Sequence, residues 1–367
     1  MRNKIISILF CVMLALGITV SAIVPDKYYS ESEKRLLEQL PTFTFKALIS
    51  GKYGEDLESY LQDQFPARDG WITAKTLTEL LSGKKDINGV YFGDDGYLIQ
   101  KFDSYNKENF EKNVEALKTL SDKLSQEGVD VKVILVPTAV EILSDKLPTF
   151  APHASQSELI AYAKESGLDV IDVIGNLSSH SSEYIYYMND HHFTSLGAYY
   201  VYEEYMNAIG KTADPLDAWQ MRVLCDNFRG TTYSKVNYPF AKYDTITAYY
   251  KNEKHNVSYN GGSYVTDSIY EEKYLDGKDQ YATFLNSNQA TTVVSGEGEG
   301  KLLIIKDSYA NCFAQFVIDD YSETHLIDMR FFTGSVSDYV AENGITDVLV
   351  MYNAPNFAGD TSISKIN

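Results

Sequence analysis

The chain has 367 residues, of which 44% are hydrophobic and 23% are charged, and its formal net charge is −19 at pH 7. This length suits one large α/β domain or one domain with appendages, and the composition is typical of a globular protein. The negative charge argues against a nucleic-acid partner and against docking on anionic lipid headgroups, because both surfaces favour Lys and Arg.

Residues 1–25 predict a signal peptide or a transmembrane anchor. Arg2 and Lys4 form a basic start, and Ile5–Val24 is a largely apolar run. Roughly 20 apolar residues are enough to span a bilayer, whereas Val20–Ala22 would also serve as a signal-peptidase site. The sequence leaves both alternatives open. In either case the basic residues stay inside and the remainder is exported, so we expect an extracytoplasmic protein that is membrane-anchored or secreted.

Residues 26–85 predict a polar, mostly helical linker region, and residues 86–367 a catalytic domain. In the second region apolar runs and amphipathic segments alternate. The predicted elements in chain order are a hairpin at Gly89–Gln100, a helix at Asn106–Gln126, a strand at Val131–Val136, a helix at Ser155–Ser166, a strand at Leu168–Val173, a helix at Ser195–Ile209, a strand at Lys301–Ile305, a helix at Tyr309–Ile318, a strand at Thr324–Asp328, a helix at Ser337–Asn343 and a strand at Asp347–Tyr352.

This alternation predicts an α/β fold with a mainly parallel sheet flanked by helices. Such sheets carry their active sites at the carboxyl ends of the strands, and Ser308 and Arg330 come just after two predicted strands. Residues 211–300 interrupt the pattern. They are rich in Tyr, Asn, Gly, Ser and Thr, with short β-like pieces such as Ile246–Tyr250, and predict a β-rich insertion that borders the active site.

Ser308 lies where a predicted strand becomes a helix. A serine hydroxyl needs a base to remove its proton, and the base needs a third group that fixes its tautomer. At such a turn the hydroxyl is exposed, and the N–H groups of Ser308 and Tyr309 are placed to stabilise an oxyanion. The alternative is that Ser308 only caps the helix that follows.

Asp190 and His192 supply the other two groups of a Ser-His-Asp arrangement. In an extended segment, residues two apart share a face, so Asp190 can hold one ring nitrogen of His192 while the other faces Ser308. The alternative is a histidine that is exposed to solvent or bonded to backbone. His191, between them, is expected to be structural rather than catalytic.

A metal site is the rival interpretation of the same tripeptide. Asp190, His191 and His192 suit Mn²⁺ or Zn²⁺, and the DHH phosphoesterases carry this tripeptide together with further aspartate clusters. Only Asp94–Asp95 resembles such a cluster, and it sits in a Gly-bounded turn that is typical of a hairpin. We therefore expect no metal and no cofactor.

The stretch Asn189–Thr194, followed by Gly197 and Tyr200, resembles the DHHW proteins. These belong with the periplasmic alginate O-acetyltransferases, which have SGNH-hydrolase-like folds. The resemblance covers most of the chain after the N-terminal segment. Its further matching segments are Ser30–Arg35 before Leu40–Pro41, Gln64–Asp69, Asn88–Tyr91, Val136–Pro137, Phe228–Tyr233, Lys306–Asn311 and Asp328–Arg330.

The resemblance implies a role for each site residue. Ser308 would be the nucleophile, His192 the base and Asp190 the residue that orients it. Arg330 would sit in the site against an anionic substrate or intermediate.

Two residues depart from the family pattern. Phe193 replaces the usual Trp, which puts a sugar contact or a packing role in doubt. Lys306 stands where standard SGNH enzymes have the Gly of Gly-Asp-Ser. Those enzymes also place Ser before Asp and His, and the reversed order here implies a permuted version of the sheet.

The function implied by the resemblance is ping-pong acetyl transfer to a cell-surface or secreted polysaccharide of the bacterial envelope. An exported enzyme lacks cytosolic acetyl-CoA, so the resemblance also implies a membrane-bound O-acyltransferase that supplies acetyl groups. Two alternatives stay open: a carbohydrate acetyl esterase with the same triad, and a non-catalytic glycan-binding or assembly protein.

Overall fold

The computed structural model describes residues 2–30 and 35–366 of the chain. Residues 31–34, which belong to the Ser30–Arg35 segment of the family resemblance, lie outside the described residues, as do Met1 and Asn367.

The chain divides into two compact units, Met1–Lys84 with Ser234–Phe240 and Lys85–Tyr233 with Ala241–Asn367. The boundaries predicted from the sequence for the N-terminal segment, the linker region and the insertion stay predictions.

The first unit combines helices with one short antiparallel β-ribbon. Its elements are α1 (Arg2–Ile23), β1 (Tyr29–Ser30), β2 (Arg35–Leu36), α2 (Phe45–Ile49), α3 (Lys52–Asp63) and α4 (Arg68–Leu81). Thr44 begins α2 because its hydroxyl accepts a hydrogen bond from the Ala47 N–H at 3.2 Å. Among the described residues, no helix combines the length and the apolar character that crossing a membrane requires.

The second unit alternates strands and helices and contains the predicted site. Its elements are β3 (Asp86–Ile87), β4 (Val90–Phe92), β5 (Leu98–Gln100), α5 (Lys107–Gln126), β6 (Asp130–Val136), α6 (Ala139–Ile142), α7 (Gln156–Glu165), α8 (Ile174–Ser179), α9 (Ser195–Ala208), β7 (Gln220–Phe228), α10 (Thr231–Val236), which begins in this unit, β8 (Asp244–Tyr250), β9 (Val257–Tyr259), β10 (Tyr264–Thr266), β11 (Thr291–Ser295), β12 (Lys301–Lys306), α11 (Tyr309–Val317), β13 (Glu323–Ile327), α12 (Val336–Asn343), β14 (Asp347–Asn353) and α13 (Ala354–Gly359).

The main sheet has seven strands in the order β10-β9-β11-β13-β12-β14-β6. The four strands β13, β12, β14 and β6 are parallel, whereas β11, β9 and β10 continue the sheet with antiparallel pairs. The sheet is therefore mixed, and the expectation of a mainly parallel sheet is corrected. The difference arises because β11, from the predicted insertion, pairs with β13, and β9 and β10 extend the sheet beyond it. These are long-range contacts that the short sequences of the strands do not encode.

One predicted strand does not form. In Leu168–Val173 only Val170 makes a bridge, to Val133 of β6. The chain then turns, because the Asp172 carboxylate accepts a hydrogen bond from the Ile174 N–H at 2.9 Å and α8 begins.

The parallel strands form the centre of the core and position the site. In β12 the run Leu302–Ile305 is fully buried, as expected for a strand covered by helices on both faces. The carboxyl ends of adjacent parallel strands lie at one edge of a sheet. Ser308, Arg330 and Asn353 therefore follow or end three neighbouring strands at the same edge.

Candidate active site

Ser308 and His192 are joined by a hydrogen bond. Ser308 links β12 to α11, and its Oγ lies 2.7 Å from His192 Nε2. Although Ser308 occupies the residue before α11, its side chain makes no capping hydrogen bond to the helix. The Tyr309 N–H instead donates to Asp307 Oδ1 at 2.9 Å. The alternative that Ser308 serves as the helix cap is therefore wrong.

The other nitrogen of His192 faces Asp190. Asp190 Oδ1 lies 2.5 Å from His192 Nδ1 and also accepts from the His192 N–H at 3.0 Å. Its second oxygen accepts from the Thr231 N–H at 2.7 Å and from the Thr231 hydroxyl at 2.9 Å. An ionised carboxylate can only accept hydrogen bonds, so His192 carries its proton on Nδ1 and presents the Nε2 lone pair to Ser308.

Burial strengthens this chain of hydrogen bonds. Asp190 is 3% exposed and His192 is 4% exposed, whereas Ser308 is half-buried. Electrostatic interactions are stronger where water is excluded. The structure thus brings together the three residues that the sequence proposed, with the serine on the accessible side.

Both hydrogen-bond donors of Tyr309 are paired with other groups, and its oxyanion role stays a prediction. Its N–H donates to Asp307, as above, and its hydroxyl donates to the backbone carbonyl of His191. The residue is fully buried, and burial holds the pKa of its phenol well above the usual range. In this arrangement Tyr309 supports the His191–His192 backbone, and neither of its donors points to the nucleophile.

His191 packs beside the triad. Its Nδ1 lies 2.5 Å from Thr231 Oγ1, and its ring centroid is 3.9 Å from that of His192. Since the Thr231 hydroxyl donates to Asp190, it accepts from the His191 Nδ1–H. His191 also lines a small cavity with Asn353 and Asn356.

Asp190, His191 and His192 form the one three-residue group among the described residues that has metal-ligand spacing, with ligating atoms within 4.8 Å of one another. These atoms already serve the hydrogen bonds just described. A cation here would have to displace the Nδ1–H of His192 from Asp190 or the hydroxyl of Ser308 from Nε2. Asp94–Asp95 forms the turn of the predicted β4–β5 hairpin and belongs to no such group among the residues that the structure describes.

The DHHW protein family model matches residues 85–327, more than half of the chain. The chain belongs to the DHHW family. Its structure is similar to that of a DHHW family protein from Eubacterium siraeum DSM 15702, with 24% sequence identity and a TM-score of 0.65, covering 77% of this chain and 96% of that chain.

Two further solved structures share the mixed α/β fold of this DHHW protein. Bacillus cereus PatB1 with a sulfonyl adduct has 20% identity and a TM-score of 0.63, covering 76% of this chain and 98% of that chain. The O-acetyltransferase domain of Pseudomonas putida AlgJ has 14% identity and a TM-score of 0.50, with the same two coverages. No curated protein matches the chain.

Phe193 takes the place of the Trp in the DHHW segment. It is fully buried, and its ring meets that of Tyr309 edge-on at 4.8 Å. This DHHW protein therefore uses the position for packing, and a sugar contact by Phe193 is not compatible with its burial.

Lys306 and Arg330 place two cations at this edge of the DHHW domain. Lys306 is 1% exposed, and its Nζ donates to Asn288 Oδ1 at 3.3 Å. Burial lowers the pKa of Lys306 to about 8. Arg330 follows β13, and its guanidinium holds Asp328 through Nε and Nη2 at 2.8 Å and 2.5 Å. The Arg330 side chain is 37% exposed, and the hydrogen bond to Asp328 raises its pKa.

Four supporting residues were not predicted from the sequence as site residues. Gly230 and Thr231 contact Asp190. Both lie in the Phe228–Tyr233 segment that carries part of the DHHW resemblance, which is the one signal that could have pointed to them. Tyr281 stacks on His192 from within the insertion. Asn353 ends β14 and donates its N–H and its side-chain amide to the buried carboxylate of Asp307, whose pKa is raised by burial.

Proposed function

We propose that this DHHW protein is an exported O-acetyltransferase that acts on a polysaccharide through Ser308, His192 and Asp190. The observation that carries the proposal is the continuous hydrogen-bonded chain from Asp190 Oδ1 through His192 to Ser308 Oγ, with distances of 2.5 Å and 2.7 Å. A nucleophile, a base and a group that orients the base are the parts that covalent acyl transfer needs.

The reaction has two balanced steps. In the first, Ser308 Oγ attacks the acetyl carbonyl while His192 Nε2 takes the hydroxyl proton, and His192 then gives that proton to the departing donor group. In the second, an acceptor hydroxyl attacks the acetyl-Ser308 ester while His192 takes its proton and returns it to Ser308 Oγ. The Ser308 N–H at the start of α11 is the donor that we assign to the oxyanion.

The cellular setting is part of the proposal. The basic start and apolar run at residues 2–24 support export, and no acetyl-CoA is at hand outside the cytosol. A membrane-bound O-acyltransferase would therefore supply acetyl groups, and the acceptor would be an exopolysaccharide or a cell-wall glycan. The placement of the nucleophile after Asp190 and His192 supports a permuted SGNH-like arrangement.

A fluorophosphonate probe tests the triad. We expect the full-length protein to be labelled at Ser308 and the Ser308→Ala variant to remain unlabelled. Absence of labelling in the wild type, or labelling at another residue, would contradict the proposal. Loss of activity with a chelator, together with an active Ser308→Ala variant, would support a metal site.

An acetyl-ester substrate with and without glycan separates the remaining alternatives, since the same triad serves transfer and hydrolysis. Transfer predicts faster turnover with glycan present and an acetylated glycan product. Free acetate as the sole product would identify an esterase. Glycan binding without any ester turnover would identify a binding or assembly protein.

A further inference from the structure

Tyr281 contacts both the proposed base and the backbone of the proposed nucleophile. Its ring lies parallel to the His192 imidazole, with centroids 3.8 Å apart and an interplanar angle of 10°. Its hydroxyl donates to the Ser308 carbonyl oxygen at 3.1 Å. Tyr281 is 5% exposed, and burial keeps the pKa of its phenol well above the usual range, so the hydroxyl stays a donor.

The segment that carries Tyr281 is held firmly. The Tyr281 ring meets Phe284 at 5.3 Å, and the Ser287 N–H donates to the Ala282 carbonyl oxygen at 2.9 Å. The three residues Leu285–Ser287 all have positive φ, at 54°, 55° and 67°. For residues other than glycine this conformation is unfavourable and persists only where the surroundings impose it.

The same segment is tied to the helix that begins after Ser308. Asn311, in the first turn of α11, donates its side-chain amide to the Ser287 carbonyl oxygen at 3.3 Å and to Asn288 Oδ1 at 3.4 Å. Tyr281 therefore reaches His192 from a support that is connected to the nucleophile's own helix.

The stacking of Tyr281 on His192 affects the stability of the positive charge that His192 acquires when it takes a proton. Two hydrogen bonds fix the two ring nitrogens, and the Tyr281 ring covers one face of the imidazole and excludes water from it. When His192 takes the proton of Ser308, the resulting cation faces an aromatic ring, which attracts it. Such an interaction is stronger in the charged transition state than in the resting enzyme, and so it accelerates the reaction.

We propose that Tyr281 is a positioning residue for acyl transfer, which holds the His192 imidazole between Asp190 and Ser308 and stabilises its protonated form. This inference rests on the proposed function, because it presumes that His192 is the base. It also gives the β-rich insertion a part in the chemistry, in addition to the strands that it adds to the sheet.

Three variants of the full-length protein test the inference. Tyr281→Leu removes the aromatic ring, and we expect kcat for acetyl-ester turnover to fall about 10- to 100-fold with little change in KM. Tyr281→Phe keeps the ring and loses only the bond to Ser308, so we expect it to restore kcat to within about 10-fold of wild type. Tyr281→Met fills the space without aromaticity and should behave like Tyr281→Leu, which covers the case that the leucine variant does not fold.

Tyr259→Leu is the matched control. Tyr259 is also buried and also stacks on a ring, that of Tyr264, but it lies on β9, which two strands separate from β12. We expect its kcat per folded molecule to match wild type. A proton NMR spectrum adds a second measurement, since the His192 Nδ1–H bonded to Asp190 should give a strongly deshielded resonance that Tyr281→Phe keeps and Tyr281→Leu broadens or loses.

The outcomes separate this inference from the proposed function. No turnover and no labelling of Ser308 in the wild type would overturn both. A labelled, active wild type with an equally active Tyr281→Leu variant would overturn the role of Tyr281 alone. An equal loss in Tyr259→Leu would also overturn it, because the effect would then be one of general packing.

Discussion

Gly230 lies directly against the carboxylate of Asp190. A Cβ atom on Gly230 would sit 2.1 Å from Asp190 Oδ2 and 2.5 Å from Cγ, distances at which one of the two groups must move. The position therefore needs glycine because of a neighbouring side chain, and that side chain is the one that orients His192.

Gly230→Ala should displace Asp190 and reduce kcat. We expect a loss of about 10- to 100-fold, since small misplacements of catalytic groups have effects of this size, and a decrease in the free energy of unfolding of about 1–3 kcal/mol from overpacking. Gly175→Ala is the control, because a Cβ there meets nothing within 4 Å. Steady-state kinetics and denaturant unfolding check both variants, and a fully active Gly230→Ala variant would show that Asp190 tolerates displacement.

Ser308→Ala should abolish acetyl-ester turnover without destabilising the fold. The Ser308 side chain makes no cap hydrogen bond to α11, so we expect the free energy of unfolding to change by no more than about 0.5 kcal/mol. Ser335→Ala is the matched comparison, because Ser335 does cap α12 by accepting from the Asp338 N–H at 3.2 Å. That variant should lose about 1 kcal/mol of stability and keep its activity.

Asp190→Asn should lower kcat by about 10⁴-fold, the size of effect found when an orienting carboxylate is replaced by an amide that favours the wrong histidine tautomer. Combined with Ser308→Ala it should add almost nothing, because the members of a triad act as a unit. Additive losses in the double variant would indicate that the two residues act separately. Residual turnover after each substitution is the quantity to compare.

The sequence predicted the parts of the site that rest on local rules. A buried apolar run places Ser308 at a strand end, and spacing by two residues predicted that Asp190 and His192 act together. The premise of an extended segment was wrong, because residues 188–192 form bends in which the His192 N–H donates to Asp190 Oδ1. Tyr281 follows from neither rule, because it reaches His192 from a Tyr-rich insertion in which short strands have no clear periodicity.

The same limit explains the errors in the sheet. Val257–Tyr259 and Tyr264–Thr266 are too short to be predicted as strands from their sequences. Tertiary contacts decide that β9 pairs with β11 and that β10 pairs with β9. Conversely, Leu168–Val173 is apolar enough for a strand, yet the Asp172 side chain turns the chain after a single bridge.

Thr231→Val should remove one of the hydrogen bonds that fix the Asp190 carboxylate, without creating a cavity. It removes the hydroxyl that donates to Asp190 Oδ2 at 2.9 Å and lies 2.5 Å from His191 Nδ1, while the Thr231 N–H remains. We expect kcat to fall about 10-fold, in line with one lost bond to a charged group, and Thr231→Ser to restore it.

Thr232→Val is the control for that substitution. Thr232 is fully buried, and its hydroxyl has no hydrogen-bond partner among the described residues, so its replacement should leave kcat unchanged and stability unchanged or higher. Equal kinetic losses at Thr231 and Thr232 would point to a disturbed backbone instead of a lost bond to Asp190.

Lys306→Met should stabilise the fold at neutral pH. Burial lowers the pKa of Lys306 from 10.5 to about 8 in the folded protein, so between these values the unfolded state binds more protons than the folded state. Stability therefore rises with pH across this interval, and below pH 8 the folded state bears the full cost of the buried charge. The shift corresponds to roughly 3 kcal/mol, and an apolar side chain of similar length avoids that cost.

The pH dependence distinguishes this effect from simple packing. The gain of Lys306→Met over wild type should be largest at pH 7 and shrink as the pH rises through 8 towards 10.5, where the wild-type lysine has lost its proton in the folded state. Lys112→Met, at a side chain that is 61% exposed, should shift the free energy of unfolding by no more than about 0.5 kcal/mol at any pH. Urea unfolding of the three proteins at pH 7 and pH 9.5 measures the difference. A lower free energy of unfolding for Lys306→Met at pH 7 would mean that the ammonium group contributes favourable interactions with Asn288 and Asp328 that exceed its desolvation.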